Sequence, residues 1–214
     1  VYAKARENLE TMLSERILVR DPRPCYYVYR LTMGEHVQTG LVAAASVAAY
    51  DGERIKKHEF TRPVKEDDRV RQIDALNAQT GPVFLVYKSR ARIDDALGRA
   101  AASPPAIDIT ATDGVTHQLW VVDDTPTIDL LSSEFEALDA LYVADGHHRS
   151  AAASRVAAQR RAANPNHTGA EPYNSFLSVI FPHNQMQILA YNRLVQDLHG
   201  LDTEVFMNRL SVPF

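Results

Sequence analysis

The side chains best suited to chemistry are concentrated in one short segment, Asp145-Gly146-His147-His148-Arg149. Asp145 can cap a helix or bind a cation. His147 and His148 titrate near neutral pH, and Arg149 presents a planar fork that matches phosphate or carboxylate. Gly146 lets the backbone approach a ligand closely. We interpret the segment as a binding site; the alternative is an ordinary Asp-Gly turn with histidines in the following helical turn.

The flanking sequence predicts the elements that position this segment. Residues 140–144 are apolar and favour a strand, whereas residues 150–163 are rich in alanine, lack Gly and Pro, and favour a helix. The chain is therefore predicted to form a strand, a tight turn at Asp145-Gly146 and a helix. The first helical turn exposes unpaired N–H groups and the positive end of the helix dipole, and phosphate is the usual ligand there.

A second reactive cluster, His58-Glu59-Phe60-Thr61, lies at the end of a predicted strand and just before a predicted helix. It is not a zinc-protease motif, because Arg62 stands where the second histidine is required. A carboxylate at a strand end suits a general base, which makes Glu59 a candidate with Thr61 as its hydrogen-bonding neighbour. The alternative is a solvated hairpin edge.

The remaining pattern predicts hairpins and helices. Predicted helices cover residues 1–17, 64–78, 93–102, 127–137 and 204–210. Predicted strands cover residues 25–31, 37–50, 54–60, 83–87, 106–112, 116–122, 174–181 and 186–193. Hairpin turns are predicted at Asp51-Gly52, Asp113-Gly114 and residues 182–185. The expected fold is α+β, a mixed, largely antiparallel sheet with packed helices in a single domain over residues 1–214, with a possible mobile loop at 164–173.

Composition excludes several classes of protein. Hydrophobic residues make up 45% of the chain and charged residues 23%, as in an ordinary globular protein. The net charge of −4, with no basic block beyond Arg160-Arg161, argues against nucleic-acid binding. The longest apolar run, residues 40–50, is too short to span a bilayer. One cysteine, Cys25, and no visible signal peptide suit a reducing compartment, so we expect a cytoplasmic location.

Residues 142–149 resemble the signature of a bacterial and archaeal family of proteins of unknown function. The resemblance continues over residues 52–69, 77–84 and 191–195, and so covers most of the chain. Full-length members are longer at both ends. The chain also begins without an initiator Met, in the middle of a helical pattern, and stops in a helical pattern without a cap, so we expect it to be a fragment truncated at both termini.

The Asp-Gly-His-His-Arg string is also similar to the phosphate-binding motif of the ParB/sulfiredoxin superfamily. In that superfamily a strand–turn–helix grips nucleotide phosphates, and some members phosphorylate free L-serine. The resemblance implies a small-molecule kinase, or at least a nucleotide-phosphate binder, with Mg²⁺ and ATP, ADP or pyrophosphate. The sequence does not have the pattern of a P-loop kinase, because the Gly-x-x-x-x-Gly-Lys-Ser/Thr motif is absent.

The resemblance also implies roles for the motif residues. Asp145 would hold Mg²⁺ and act in catalysis together with His147. The phosphates would be cradled by Gly146, Ser150 and the first-turn N–H groups. The histidines and the guanidinium would neutralise phosphate charge, with His148 and Arg149 as binding residues.

The remaining role is that of a base, because phosphoryl transfer needs a group to receive the acceptor's proton. We assign it to Glu59, with His58 and Thr61 as further binding residues. In the related serine kinases the base lies upstream of the motif, so a residue of the missing N-terminal portion is an alternative.

Two other classes of function stay open. One is a metal-dependent hydrolase with ligands from His58, His147, His148 and Asp145. Adjacent helical residues point about 100° apart, which makes joint ligation by the paired histidines awkward. The other is a non-catalytic sensor that grips a phosphate-bearing metabolite, and a turnover assay separates it from a kinase. The expected partner is a small molecule, and the oligomeric state is left open.

Overall fold

The computed structural model describes residues 1–211 and is an α+β structure. Within that range it contains seven α-helices: α1 (Tyr2–Ser14), α2 (Val47–Asp51), α3 (Pro63–Leu76), α4 (Ala91–Ala100), α5 (Thr125–Glu136), α6 (His147–Ala163) and α7 (Thr203–Leu210). The strands are β1 (Tyr26–Met33), β2 (His36–Ser46), β3 (Ile55–Lys56), β4 (Val83–Tyr87), β5 (Ile107–Thr110), β6 (Thr116–Val122), β7 (Leu141–Asp145) and β8 (Ser175–Pro182). None of the helices described is both long and apolar enough to cross a membrane.

All eight strands belong to one sheet, in the order β3-β7-β4-β8-β2-β1-β6-β5. The pairs β3–β7 and β4–β8 are parallel, and the other neighbouring pairs are antiparallel. The predicted mixed, largely antiparallel sheet with packed helices is therefore confirmed. The hairpin of β5 and β6 around Asp113-Gly114 is confirmed as well.

The core lies on one face of the central strands. In β4 the alternate residues Val83, Leu85 and Tyr87 are buried, as the two-residue period of a strand requires. They belong to one apolar cluster with residues of α4, α5 and α6, among them Leu131. The opposite face of the sheet is more open at β7, where Tyr142 is 48% exposed, whereas Phe181 of β8 on that face is buried. Burial on one face is common for antiparallel sheets.

Helices α3 and α6 pack side by side and carry the candidate site between them. The small side chains of α6 let α3 approach closely, and Val70 of α3 is buried against Ala152 and Val156. An ion pair reinforces this contact, because the Arg155 guanidinium lies 2.8 Å from the carboxylates of both Glu66 and Asp67. The start of α3 is therefore fixed beside the start of α6.

The predicted hairpin at Asp51-Gly52 is wrong. Residues 47–51 form the short helix α2 rather than the end of a long strand, and Gly52 is its C-cap. The Ser46 hydroxyl caps this helix by accepting the Ala49 N–H at 3.2 Å. Only Ile55–Lys56 of the following segment is a strand, and it pairs in parallel with β7. Both edges of β2 are already occupied by β1 and β8, so no edge is available for the expected partner.

The predicted strand at residues 186–193 is also wrong. The segment follows a 3₁₀ turn, His183–Gln185, and runs without regular secondary structure to residue 202. Its expected partner, β8, pairs with β2 on one edge and with β4 on the other. A third hairpin would need a free edge, which the central position of β8 does not offer.

Candidate active site

The predicted strand–turn–helix forms at the motif. Strand β7 ends at Asp145, Gly146 has a φ of 97°, and α6 begins at His147. The Arg149 and Ser150 N–H groups both donate to the Gly146 carbonyl at 2.9 Å, which starts the helix. The earlier N–H groups of the first turn have no acceptor within the helix. This end of α6 therefore offers backbone donors and positive potential to an anion.

The Arg149 side chain lies flat across two glycines. A Cβ added at Gly146 would lie 3.0 Å from the Arg149 Nε and Nη2 atoms, and one added at Gly81 would lie 3.4 Å from Nη1. The same guanidinium forms an ion pair with the Asp145 carboxylate through a 2.6 Å bond. Its Nε is buried, and no hydrogen-bond partner for it is found among residues 1–211. The guanidinium is thus held in a fixed position, although Nε is unsatisfied.

His147 is buried in the first turn of α6, with 3% of the residue exposed. Its ring packs edge-to-face against His58, with the ring centroids 4.5 Å apart. Its Nδ1 lies 3.6 Å from the Glu59 Oε2, a contact too long for a direct hydrogen bond. Its Nε2 is buried and has no partner in the described part of the chain.

Burial lowers the pKa of His147 below its usual value of 6.5, and the neighbouring His58 lowers it further. The carboxylates of Glu59 and Asp145 oppose this shift without overcoming it. The imidazole is therefore neutral at neutral pH. A neutral ring beside Glu59 leaves that carboxylate without an ion pair to His147.

The second reactive cluster is brought directly against the motif. The Arg62 N–H donates to the His148 Nε2 at 3.0 Å, so the segment before α3 is tied to α6. The Thr61 hydroxyl donates to Glu66 at 2.7 Å. This bond, together with Arg155, lowers the pKa of Glu66. The two clusters that the sequence separates by about ninety positions form one site.

An open groove of about 1060 Å³ lies in front of these groups. The Glu59 carboxylate is 60% exposed and the Asp145 carboxylate 74% exposed, so both are accessible to a ligand. The groove is lined mostly by charged and aromatic side chains. Its residues are Glu59, Val64, Lys65, Asp68, Arg69, Arg71, Asp145, Gly146, His147, His148, Arg149 and Tyr191. Mixed charge of this kind suits a ligand that brings both anionic groups and a cation.

The sequence model of a family described as "Protein of unknown function (DUF1015)" matches residues 1–214. The chain belongs to this family. No curated protein and no solved structure matches it.

In this DUF1015 chain, Ser150 does not face the groove. The residue is fully buried, and its hydroxyl lies 3.1 Å from the His147 carbonyl and 3.3 Å from the Gly146 carbonyl, to which it donates. Its N–H is bound to Gly146 as well. The Thr61 hydroxyl is likewise occupied, by Glu66. The groups that face the groove are the Glu59 carboxylate, the ion pair of Asp145 with Arg149, and the first-turn backbone.

Six groove residues were not predicted as site residues: Val64, Lys65, Asp68, Arg69, Arg71 and Tyr191. The polar start of α3 is also typical of a solvated first helical turn. A signal was nevertheless present, because Lys65, Asp68 and Arg69 recur at the three- and four-residue spacing of one helix face. Tyr191 lies in the segment wrongly predicted as a strand, so its position could not have been inferred.

The histidines of the DUF1015 chain have separate partners. His147 directs Nδ1 towards Glu59, whereas the His148 Nε2 accepts the Arg62 N–H. No group of three or more His, Cys, Asp or Glu side chains placed to hold a metal is found within residues 1–211. Asp145 offers an exposed carboxylate at the helix start, where it is paired with Arg149.

Proposed function

We propose that the protein is a Mg²⁺-dependent kinase that transfers a phosphoryl group from ATP, ADP or pyrophosphate to the hydroxyl of a small, L-serine-like substrate. The observation that carries this proposal is the convergence of Glu59, Asp145 and Arg149 on one groove at the start of α6. The likeness of the Asp145–Arg149 motif to the phosphate-binding motif of the ParB/sulfiredoxin superfamily points in the same direction.

The phosphate grip follows from the helix start. Free N–H groups of the first turn donate to phosphate oxygens, and the helix dipole favours negative charge there. Arg149, held against Gly146 and Gly81, adds a planar guanidinium that can bind two phosphate oxygens at once. The positions of these hydrogen-bond donors are set before a ligand binds, so little conformational entropy is lost on binding.

The oxygen ligands available at the start of α6 suit Mg²⁺. This ion is usually bound by one or two carboxylates together with substrate phosphates and water, and it needs no cage of protein ligands. Asp145 would hold it, because its carboxylate is 74% exposed beside the helix start. When bound, Mg²⁺ would supply neutralisation of charge on the phosphate oxygens.

Glu59 is the proposed base. Its carboxylate faces the same groove and is 60% exposed, so an acceptor hydroxyl can reach it. His147 lies behind Glu59 as a neutral imidazole, because burial lowers its pKa. We assign His147, whose Nδ1 lies 3.6 Å from the Glu59 Oε2, the role of positioning that carboxylate.

The test is a turnover assay on the purified protein with Mg²⁺, L-serine and each of ATP, ADP and pyrophosphate, with phosphoserine detected by mass spectrometry. Asp145→Asn is expected to abolish the product. Glu59→Gln is expected to keep donor binding and to lower the rate by about 100-fold or more, the usual contribution of a general base. Asp139→Asn, an exposed carboxylate outside the groove, is the matched control and should retain full activity.

Full activity in both site variants would overturn these roles. Donor binding by the wild-type protein without phosphoserine from any donor would overturn the serine kinase and favour the non-catalytic phosphometabolite sensor.

A further inference from the structure

A second, smaller cavity adjoins the groove. It has a volume of about 120 Å³ and is lined by Arg69, Gln72, Ile73, Ala78, Gln79, Thr80, Gly81 and Arg149. Because a cavity needs about 10–15 Å³ of such space to hold one water molecule, this cavity admits several waters. The cavity has room for one phosphate-sized group, whereas a nucleoside would have to extend beyond it.

Arg69 and Arg149 line both cavities. The Arg69 guanidinium donates to the Gln72 side chain at 2.7 Å, and Gln72 itself lines the small cavity. Its nearest carboxylate, that of Asp68, is 4.0 Å away. Arg149 has its own carboxylate partner, Asp145, on the groove side. Two guanidinium groups thus border a small cavity in which no carboxylate is among the lining residues.

We infer that the small cavity binds the phosphate of the donor that is not transferred, and that Arg69 is the residue that holds it. This inference rests on the proposed kinase. Glu59 lies in the large groove and does not line the small cavity, so the acceptor hydroxyl belongs in the groove. The departing phosphate then lies in the small cavity, which Arg69 and Arg149 border.

With the acceptor in the groove and the leaving phosphate in the small cavity, every proton and electron pair of the transfer step has a destination. The acceptor hydroxyl gives its proton to the Glu59 carboxylate, and its oxygen forms a new bond to the transferred phosphorus. The bridging P–O bond breaks, and its electron pair stays on the leaving phosphate. Negative charge therefore develops in the small cavity, where Arg69 and Arg149 stabilise it. The same arrangement serves pyrophosphate, ADP or ATP, because each places one phosphate next to the transferred group.

The test is Arg69→Gln, with the KM measured separately for the donor and for L-serine. Loss of a charge-assisted hydrogen bond is expected to raise the donor KM by about tenfold or more and to leave the L-serine KM unchanged. Running the three donors in parallel shows which one supplies the phosphate. Arg99→Gln, at the exposed end of α4 and outside both cavities, is the matched control for loss of one positive charge.

A rise in the L-serine KM with an unchanged donor KM would show that the cavity holds the acceptor, and the inference would be wrong. Calorimetric binding of Mg²⁺-pyrophosphate needs no turnover and separates this inference from the kinase proposal. Weaker binding in Arg69→Gln than in Arg99→Gln supports the subsite even if no phosphoserine forms, whereas equal binding, or none in the wild type, overturns it. Thr80→Val, in the same cavity, replaces Arg69→Gln if that variant does not fold.

Discussion

At the scale of single residues, Gly146 determines the geometry of the turn between β7 and α6. Its φ of 97° is a conformation that side chains with a Cβ rarely adopt. A Cβ there would also lie 3.3 Å from the Val83 Cα, which belongs to the backbone of β4 and cannot easily move. The same Cβ would press on the Arg149 guanidinium. Backbone strain and displacement of a binding group therefore coincide at one position.

Gly146→Ala is expected to lower the free energy of unfolding by about 1–3 kcal/mol, the cost of a residue held in the left-handed region. It should also weaken phosphate binding, because Arg149 must move. Gly98→Ala is the control: Gly98 lies within α4 and a Cβ there meets nothing within 4 Å. That variant should gain about 0.5–1 kcal/mol from helix propensity. Urea unfolding of both proteins checks the prediction, and an unchanged stability in Gly146→Ala would contradict it.

At the scale of secondary-structure elements, features that depend on neighbouring residues were predicted correctly, whereas the pairing of strands distant in sequence was not. The Asp145-Gly146 turn and the alanine-rich run after it predicted β7 and α6, because a turn and a helix depend on neighbouring residues. The pairing of strand Ile55–Lys56 was predicted wrongly, since its partner, β7, lies far along the chain. The contact between Glu59 and His147 depends on that parallel pairing and on the packing of α3 against α6. It could be proposed from residue types, but its geometry could not.

Because His147 is buried at the start of α6, we expect the free energy of unfolding to depend on pH. Because the pKa of His147 is lowered, the folded protein binds fewer protons than the unfolded chain below the usual value of 6.5. This contribution to stability is complete above 6.5 and is lost as the pH falls towards the lowered pKa of the folded state. His147→Asn should remove the contribution of this imidazole to the slope of the unfolding free energy against pH, whatever its effect on stability at neutral pH.

Urea unfolding at a series of pH values from about 7.5 to about 5 measures this slope. His199→Asn is the control, because His199 is exposed and Asn tolerates its positive φ. Equal slopes in the wild type and in His147→Asn would show that the buried imidazole does not govern this part of the pH dependence.

At the scale of the whole molecule, the central strands of the sheet are buried, whereas the segment that follows β8 beside the groove is exposed. Strands β4 and β8 are adjacent and central, and their residues include Leu85, Tyr87, Phe176 and Phe181, each at most 1% exposed. The segment after β8 has no strand partner, and Ile188, Tyr191 and Leu194 are 97%, 84% and 90% exposed. Local opening should therefore be easiest in this segment and rarest in the central strands.

Amide hydrogen exchange is expected to be fast over residues 187–197 and slow, by orders of magnitude, in β4 and β8, because exchange in the central strands requires global unfolding. Tyr191 lines the groove beside Arg149. Mg²⁺-pyrophosphate should therefore slow exchange around Tyr191 and leave β5, at the far edge of the sheet, unchanged. Asp145→Asn should lose this ligand effect while keeping the fast exchange of the free protein. Strong protection of residues 187–197 without ligand would mean that the segment is packed against the protein, and slowing in Asp145→Asn would mean that the ligand binds elsewhere.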